Sequence, residues 1–296
     1  MQEIIVDVNN ERLDNYLSSK LDITRSKASK MIKNGNCLLN LKKVKAGSIL
    51  NIGDKINYEL IDDEIKAEGE DIKLDVVYED NDIIIVNKPN GMVVHPAVGN
   101  KSGTLVNALI NHSNNLSKVN GEFRPGIVHR IDAYTTGLLM IAKNDKAHNF
   151  LQEQLANKTT TRKYIALVWG VIENDTGLID APITRDKTNR KKMSVGSGGK
   201  SAITHFKVLK RYSNATLIEL KLETGRTHQI RVHMDYINYP VVNDPVYGRR
   251  KVIDSTGQCL HAKTIGFIHP TTKEYMEFES ELPECFINIL KKFEGD

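Results

Sequence analysis

Apolar residues at helical spacing set the first elements of this 296-residue chain. Leu13, Tyr16, Leu17 and Leu21 recur every third or fourth residue, which predicts a helix over residues 12–21. A second helix is expected over residues 24–34, capped by Thr24, ended by Gly35, with Ala28, Met31 and Ile32 inside. Its outer face carries Arg25, Lys27, Lys30 and Lys33. Strands are expected over 37–40 and 49–60, turning at Gly47 and at Gly53-Asp54. Residues 1–60 thus read as a small α+β domain with one basic helix. Residues 61–74, rich in Asp and Glu, read as a linker.

The pattern changes in the second domain, taken as residues 75–296. The unbroken apolar run 83–86 predicts a buried strand, closed by the turn Asn87-Lys88-Pro89-Asn90-Gly91. Helices are expected over 104–112 and over 145–158, where Ala147, Phe150, Leu151 and Leu155 share a face behind an Asn144 or Asp145 cap. Strands follow over 163–172, 202–211 and 216–223. The basic, glycine-rich segment 184–201 reads as a mobile loop suited to phosphate.

Composition narrows the class. A hydrophobic share of 40% supports a real core, and 296 residues suit two domains. Residues 20–45 hold eight bases against one acid, and the chain from residue 83 holds 29 bases against 20 acids. Two basic blocks therefore flank an acidic stretch, which suits a polyanion partner or a plain lysine-rich surface. Cys37, Cys259 and Cys285 form no CxxC pair, so neither a disulfide framework nor a structural zinc site is expected. No signal peptide or membrane-length apolar run is visible, which predicts a cytoplasmic protein with no membrane partner.

Chemistry concentrates in His129-Arg130-Ile131-Asp132 and the Thr135-Thr136-Gly137 turn that leads into the apolar run 138–142. An aspartate just before a turn and a buried strand is held rigidly at the mouth of a cleft, or simply salt-bridges or caps a turn. Tyr164 sits on a predicted strand, as a core residue or a platform for a base. In Thr224-Gly225-Arg226-Thr227-His228-Gln229-Ile230-Arg231, Thr227 is the expected helix cap. Arg226 is then at a helix N-terminus, and His228 and Arg231 share a face that suits a carboxylate or a phosphate. A metal pair of His228 and His233 fits helical spacing poorly and is discounted; no metal is expected.

Four of these islands, HRID with TTG, KYIALVWG, TGRTHQIRVH and VNKPNGMVVHP, resemble the RluA/RluD family of RNA pseudouridine synthases in order and spacing. The resemblance spans roughly residues 75–293 and includes Asn243-Asp244-Pro245-Val246-Tyr247-Gly248 and Leu260-His261-Ala262. Residues 11–60 are similar to the small RNA-binding domain named after ribosomal protein S-four. The resemblance implies an α+β fold: a catalytic domain on a mostly antiparallel mixed sheet with flanking helices and a central RNA-binding cleft, behind a small RNA-binding domain. It implies a uridine isomerase acting on RNA, most simply large-subunit ribosomal RNA. Asp132 matches the catalytic aspartate, Tyr164 the tyrosine packed on the target base and implicated in proton removal, and Arg226 the cation paired with the aspartate. Arg130 matches the arginine that fills the gap left by the extracted uridine. His129, His228 and Arg231 are expected to contact RNA beside it, as are Arg25, Lys27, Lys30 and Lys33 in the small domain. Where many members carry Lys and Asp, this chain has Ala133 and Tyr134. The reaction needs no redox change, so no cofactor is expected, and none of the glycine-rich nucleotide fingerprints is present. A monomer is expected. A non-catalytic RNA-binding or ribosome-assembly factor on the same fold is the rival reading, and a hydrolase using His129, His228 and His233 stands far behind.

Overall fold

The structure, a computed structural model, describes residues 1–60, 67–97, 99–121, 124–189, 192–249 and 252–294. Contacts divide the chain into two compact units, Met1–Glu64 and Ile65–Asp296. Of the expected acidic linker, residues 61–66 lie outside the described residues. Residues 67–74 are no free linker. Ala67 and Leu74 pack into the core of the second unit, and the Glu68 carbonyl accepts from Asn107 Nδ2 at 2.8 Å.

In the first unit the elements are β1 (Gln2–Ile5), β2 (Glu11–Arg12), α1 (Leu13–Lys20), α2 (Arg25–Asn34), β3 (Cys37–Leu39), β4 (Ile49–Leu50) and β5 (Lys55–Tyr58). Thr24 accepts from Lys27 N, and Gly35 ends α2 with φ +82°, a conformation glycine adopts freely. The expected inner faces of both helices meet over β5, burying Leu13, Leu17, Ala28, Met31, Ile32 and Ile56. Strands β1 and β2 were not expected; β1 pairs β5 as an edge strand. The buried Asp14 receives Arg12 Nε at 2.9 Å and Arg25 Nε at 3.0 Å. Hydrogen bonding from Arg12, then Arg25, holds its carboxyl well below the usual range against the opposing effect of burial. Arg25 therefore clamps α2 to α1. Lys30 and Lys33 remain exposed on the outer face, with Lys27 half-buried.

The second unit follows with β6 (Val76–Glu79), β7 (Ile83–Lys88), α3 (Leu105–His112), β8 (Thr136–Ala142), α4 (Asp145–Ala156), β9 (Thr161–Trp169) and β10 (Thr176–Asp180). Then come β11 (Ile183–Arg185), β12 (Met193–Val195), β13 (Ile203–Arg211), β14 (Ala215–Leu222), α5 (Gln229–Tyr236), β15 (Leu260–Ile268), β16 (Tyr275–Glu279) and α6 (Glu284–Leu290). Nine strands form one sheet in the order β10-β13-β14-β9-β15-β8-β7-β6, with β16 also on β15. Its pairings are antiparallel except β15 with β8.

Both sheet faces are covered, which explains the unbroken apolar runs. Along β7, Ile83 and Ile85 face Ala147 and Leu151 of α4, while Ile84 and Val86 face Leu105 and Leu109 of α3. Along β9, Tyr164, Ala166 and Val168 face Ile230 and Met234 of α5. Ile165 and Leu167 face Phe286 and Ile289 of α6. The segment expected as a mobile loop instead contains the β11–β12 ladder, because Met193 and Val195 reach apolar clusters. Residues 190–191 of it lie outside the described residues.

Gly137 shows why the TTG turn ends in glycine. Its φ is +105°, and a Cβ there would lie 2.3 Å from the Ala262 carbonyl oxygen, where β8 and β15 meet in parallel. Gly137→Ala is expected to cost about 2–5 kcal/mol from backbone strain and overpacking together. Urea unfolding measures it, and a destabilisation under about 1 kcal/mol would contradict this account.

Candidate active site

The sheet brings the sequence islands to one cavity of about 600 Å³, within the usual range of ligand sites. Asp132 enters from the loop before β8, Tyr164 from β9, and Arg226, His228 and Arg231 from the segment leading into α5. His129 and Arg130 line it too.

Asp132 is steadied from one side by a cation. Its Oδ2 accepts from Arg231 Nη1 at 2.7 Å. Arg231 in turn donates to Asp244 through Nε at 2.7 Å and Nη2 at 2.9 Å, a bidentate pair. Burial works against the Arg231 charge, but hydrogen bonds and charge from Asp244 with Asp132 outweigh it and push its pKa up. Asp244 is fully enclosed, whereas the Asp132 side chain remains 25% exposed to the cavity. The Asp132 carboxylate is therefore open to the cavity and the supporting one, Asp244, is sealed.

This corrects one pairing. Arg226 was expected to hold the aspartate, but its Nε donates to the Ser201 carbonyl at 2.9 Å. The reason is where α5 begins. His228 takes a left-handed conformation with φ 57°, and the helix starts at Gln229 rather than directly after a Thr227 cap. Gln229 Oε1 closes the turn by accepting from Arg226 N and Thr224 Oγ1. Arg231 thus occupies the first turn and reaches Asp132, while Arg226 stays on the rim. Thr227 Oγ1 instead meets Arg130 Nη2 at 3.5 Å.

His228 Nε2 lies 3.7 Å from Asp132 Oδ1, and its Nδ1 is 2.8 Å from the Tyr247 hydroxyl. That hydroxyl also accepts from Met193 N at 2.8 Å, so it joins His228 to β12. Burial, the largest influence, pushes the His228 pKa down. His129 is no cation for RNA. Its Nε2 accepts from Met140 N at 3.1 Å, and burial with the Arg162 charge pushes it down to about 3. It ties the aspartate loop to β8. His233 is also committed, between Thr204 Oγ1 and the Ala181 carbonyl, at 2.9 Å each.

Three supporting residues were not singled out from sequence: Lys88, Asp244 and Tyr247. Lys88, at the end of β7, is buried and donates to the carbonyls of Pro89, Met92 and Ala133 at 2.9, 2.9 and 2.7 Å. Burial pushes its pKa down to about 7, with the Asp132 charge opposing. It pins the backbone next to Asp132. Tyr134, the unusual residue beside it, packs against Gly257. Tyr164 is nearly enclosed and, as burial pushes its pKa up, it is a neutral phenol.

Residues 82–236 match the family described as RNA pseudouridylate synthase, over half of the chain. The chain belongs to that family. Its activity is therefore isomerisation of uridine in RNA. Residues 11–56 match the S4 domain, in agreement with the small basic unit. An RNA pseudouridine synthase of Bacillus subtilis, itself described as uncharacterized, is 52% identical over 95% of this chain and 93% of its own. The ribosomal large subunit pseudouridine synthase D of Pseudomonas aeruginosa is 40% identical over 99% of this chain and 95% of its own. Human RNA pseudouridylate synthase domain containing 1 shares the fold, with a TM-score of 0.59 and 24% identity over 77% of this chain and 97% of that one. Among the described residues no helix is long and apolar enough to cross a membrane.

Proposed function

We propose that this pseudouridine synthase acts on large-subunit ribosomal RNA, with Asp132 as the group on which the chemistry turns. One observation carries the assignment of the residue: an open carboxylate held by a buried arginine, in the same cavity as Tyr164. Curated relatives named for the large ribosomal subunit support the choice of RNA. Isomerisation breaks the bond from ribose to the base nitrogen, turns the base and rejoins it through ring carbon 5. Attack on ribose, attack on the base and deprotonation of the sugar all use Asp132 as a carboxylate, and Arg231 Nη1 holds that group in place through its Oδ2. Tyr164 forms the wall for the everted base. As a neutral phenol it takes the carbon-5 proton only as its own hydroxyl proton passes to water. Arg130, exposed at the rim, is placed to fill the vacated position in the RNA stack.

Mapping pseudouridines in total RNA with and without the protein tests the reading. Loss of one or more sites in large-subunit RNA is expected. Loss confined to other RNAs would overturn the substrate, and no loss anywhere would favour an assembly factor.

The small domain supplies sequence-independent affinity through the exposed side of α2. Lys30→Ala with Lys33→Ala should weaken RNA binding and lower the salt slope by about one unit for each phosphate no longer neutralised. Filter binding across a salt series reads this. An unchanged slope would remove α2 from the RNA interface.

A further inference from the structure

The cavity has a second polar feature that the aspartate chemistry does not use. Arg162 lies on β9 two residues before Tyr164, so both side chains leave the same face of the strand. It is only 6% exposed, yet it lines the cavity. Its Nε has no hydrogen-bond partner, and its Nη2 makes one long contact of 3.4 Å to the Glu223 carbonyl. Among the described residues no carboxylate lies within ion-pair distance of it. Burial opposes its charge and lowers its pKa, although an arginine stays ionised.

A buried guanidinium without an anion is costly in a protein interior. Among the described residues nothing in the cavity offsets it. Those that line it include five arginines, Arg124, Arg130, Arg162, Arg226 and Arg231, and one carboxylate, Asp132, which Arg231 already engages. Neutral His129 beside it adds no charge. A Cβ on Gly225 would stand 2.9 Å from Arg162 Nη1, so the glycine makes room for the guanidinium.

We propose that Arg162 forms a phosphate subsite, binding one of the two phosphates that flank the everted nucleotide. The inference rests on the reading that a uridine nucleotide enters this cavity. A nucleotide drawn in by its base brings its flanking phosphates with it, and a planar guanidinium matches their oxygens bidentately. The buried cation thereby gains its anion only when RNA is bound. Arg162 acts in binding and positioning, separately from Asp132 and Arg231.

Uridine, uridine 3′-monophosphate and uridine 5′-monophosphate, titrated against the full chain by NMR, test this. One monophosphate should bind at least about tenfold more tightly than uridine, the size of a charge-assisted contact. In Arg162→Met that preference should vanish while uridine affinity holds, and Arg162→Lys should keep part of it. Equal behaviour of the three ligands with the wild-type chain, including no binding by any, overturns the subsite. So does a preference that survives in Arg162→Met, or an equal loss for all three, which would place Arg162 on the base. Thermal unfolding guards against a purely structural role. Removing an unpaired buried cation should leave Tm unchanged or raise it, and a large fall would count against the proposal. If the phosphate preference behaves as expected but the wild type modifies no ribosomal RNA, the subsite stands and the substrate reading falls.

Discussion

Asp132→Asn is expected to lower pseudouridine formation by about 10³-fold or more while RNA stays bound. The geometry makes this substitution unusually clean. Asparagine keeps the shape of the side chain, and Arg231 retains its bidentate partner Asp244, so no buried cation is stranded. Affinity should hold or rise, because phosphate contacts dominate binding and an anion is being removed from a cationic cavity. Tritium release from an unmodified large-subunit RNA transcript labelled at uridine carbon 5 measures the chemistry, and filter binding measures affinity. Activity within about tenfold of wild type would show that the carboxylate is dispensable. A matching collapse of binding would shift the function toward RNA attachment alone.

What the sequence disclosed and what it hid divide along the range of the interactions. Thr24, Gly35 and Asn144 act as caps where local chemistry placed them, because a cap depends on residues a few positions away. The apolar runs at 83–86 and 138–142 became central strands because periodicity reports burial on both faces. Asp132 and Tyr164 were legible through motif resemblance. The cation that holds Asp132 was not. Choosing between Arg226 and Arg231 turned on the start of α5, and His228 in a left-handed conformation pushed that start past itself to Gln229. A boundary shift of a single residue turns a helical side chain by about 100°, so the partner changed. Lys88 was hidden for another reason. Its role is to bridge Met92 and Ala133, and the second lies 45 residues away across the sheet. A lysine closing a strand that opens on four apolar residues was the available signal. The segment 184–201 misled through composition, since glycine and charge masked Met193 and Val195, which anchor it.

Arg231→Met should be the most destabilising change at this site, costing about 3–5 kcal/mol and roughly 6–20 °C in Tm for a domain of this size. Met fills similar space, so the loss comes from charge rather than from a cavity. Asp244 is fully enclosed and would keep only the backbone N–H groups of Val246 and Tyr247 at 2.8 and 2.9 Å. The pH dependence separates this cause from loose packing. In the wild type, burial raises the Asp244 pKa, but Arg231 and the backbone donors outweigh it, and the net direction is down. Its contribution to stability is therefore complete above the unfolded carboxyl value of about 3.9 and fades only as pH falls through the lower folded value. Without Arg231 the burial effect is no longer outweighed, and the folded pKa moves above the unfolded one. The Asp244 charge then destabilises the variant at neutral pH, and protonation relieves it as pH falls. The stability gap between wild type and Arg231→Met should accordingly narrow between about pH 7 and pH 4 in urea unfolding. A gap that stays constant across that range would mean that packing, not the buried carboxylate, sets the cost. Adding Asp244→Asn to Arg231→Met provides the final check. Removing the stranded charge should recover part of the lost stability at neutral pH, yet activity should stay low because Asp132 would still lack its cation.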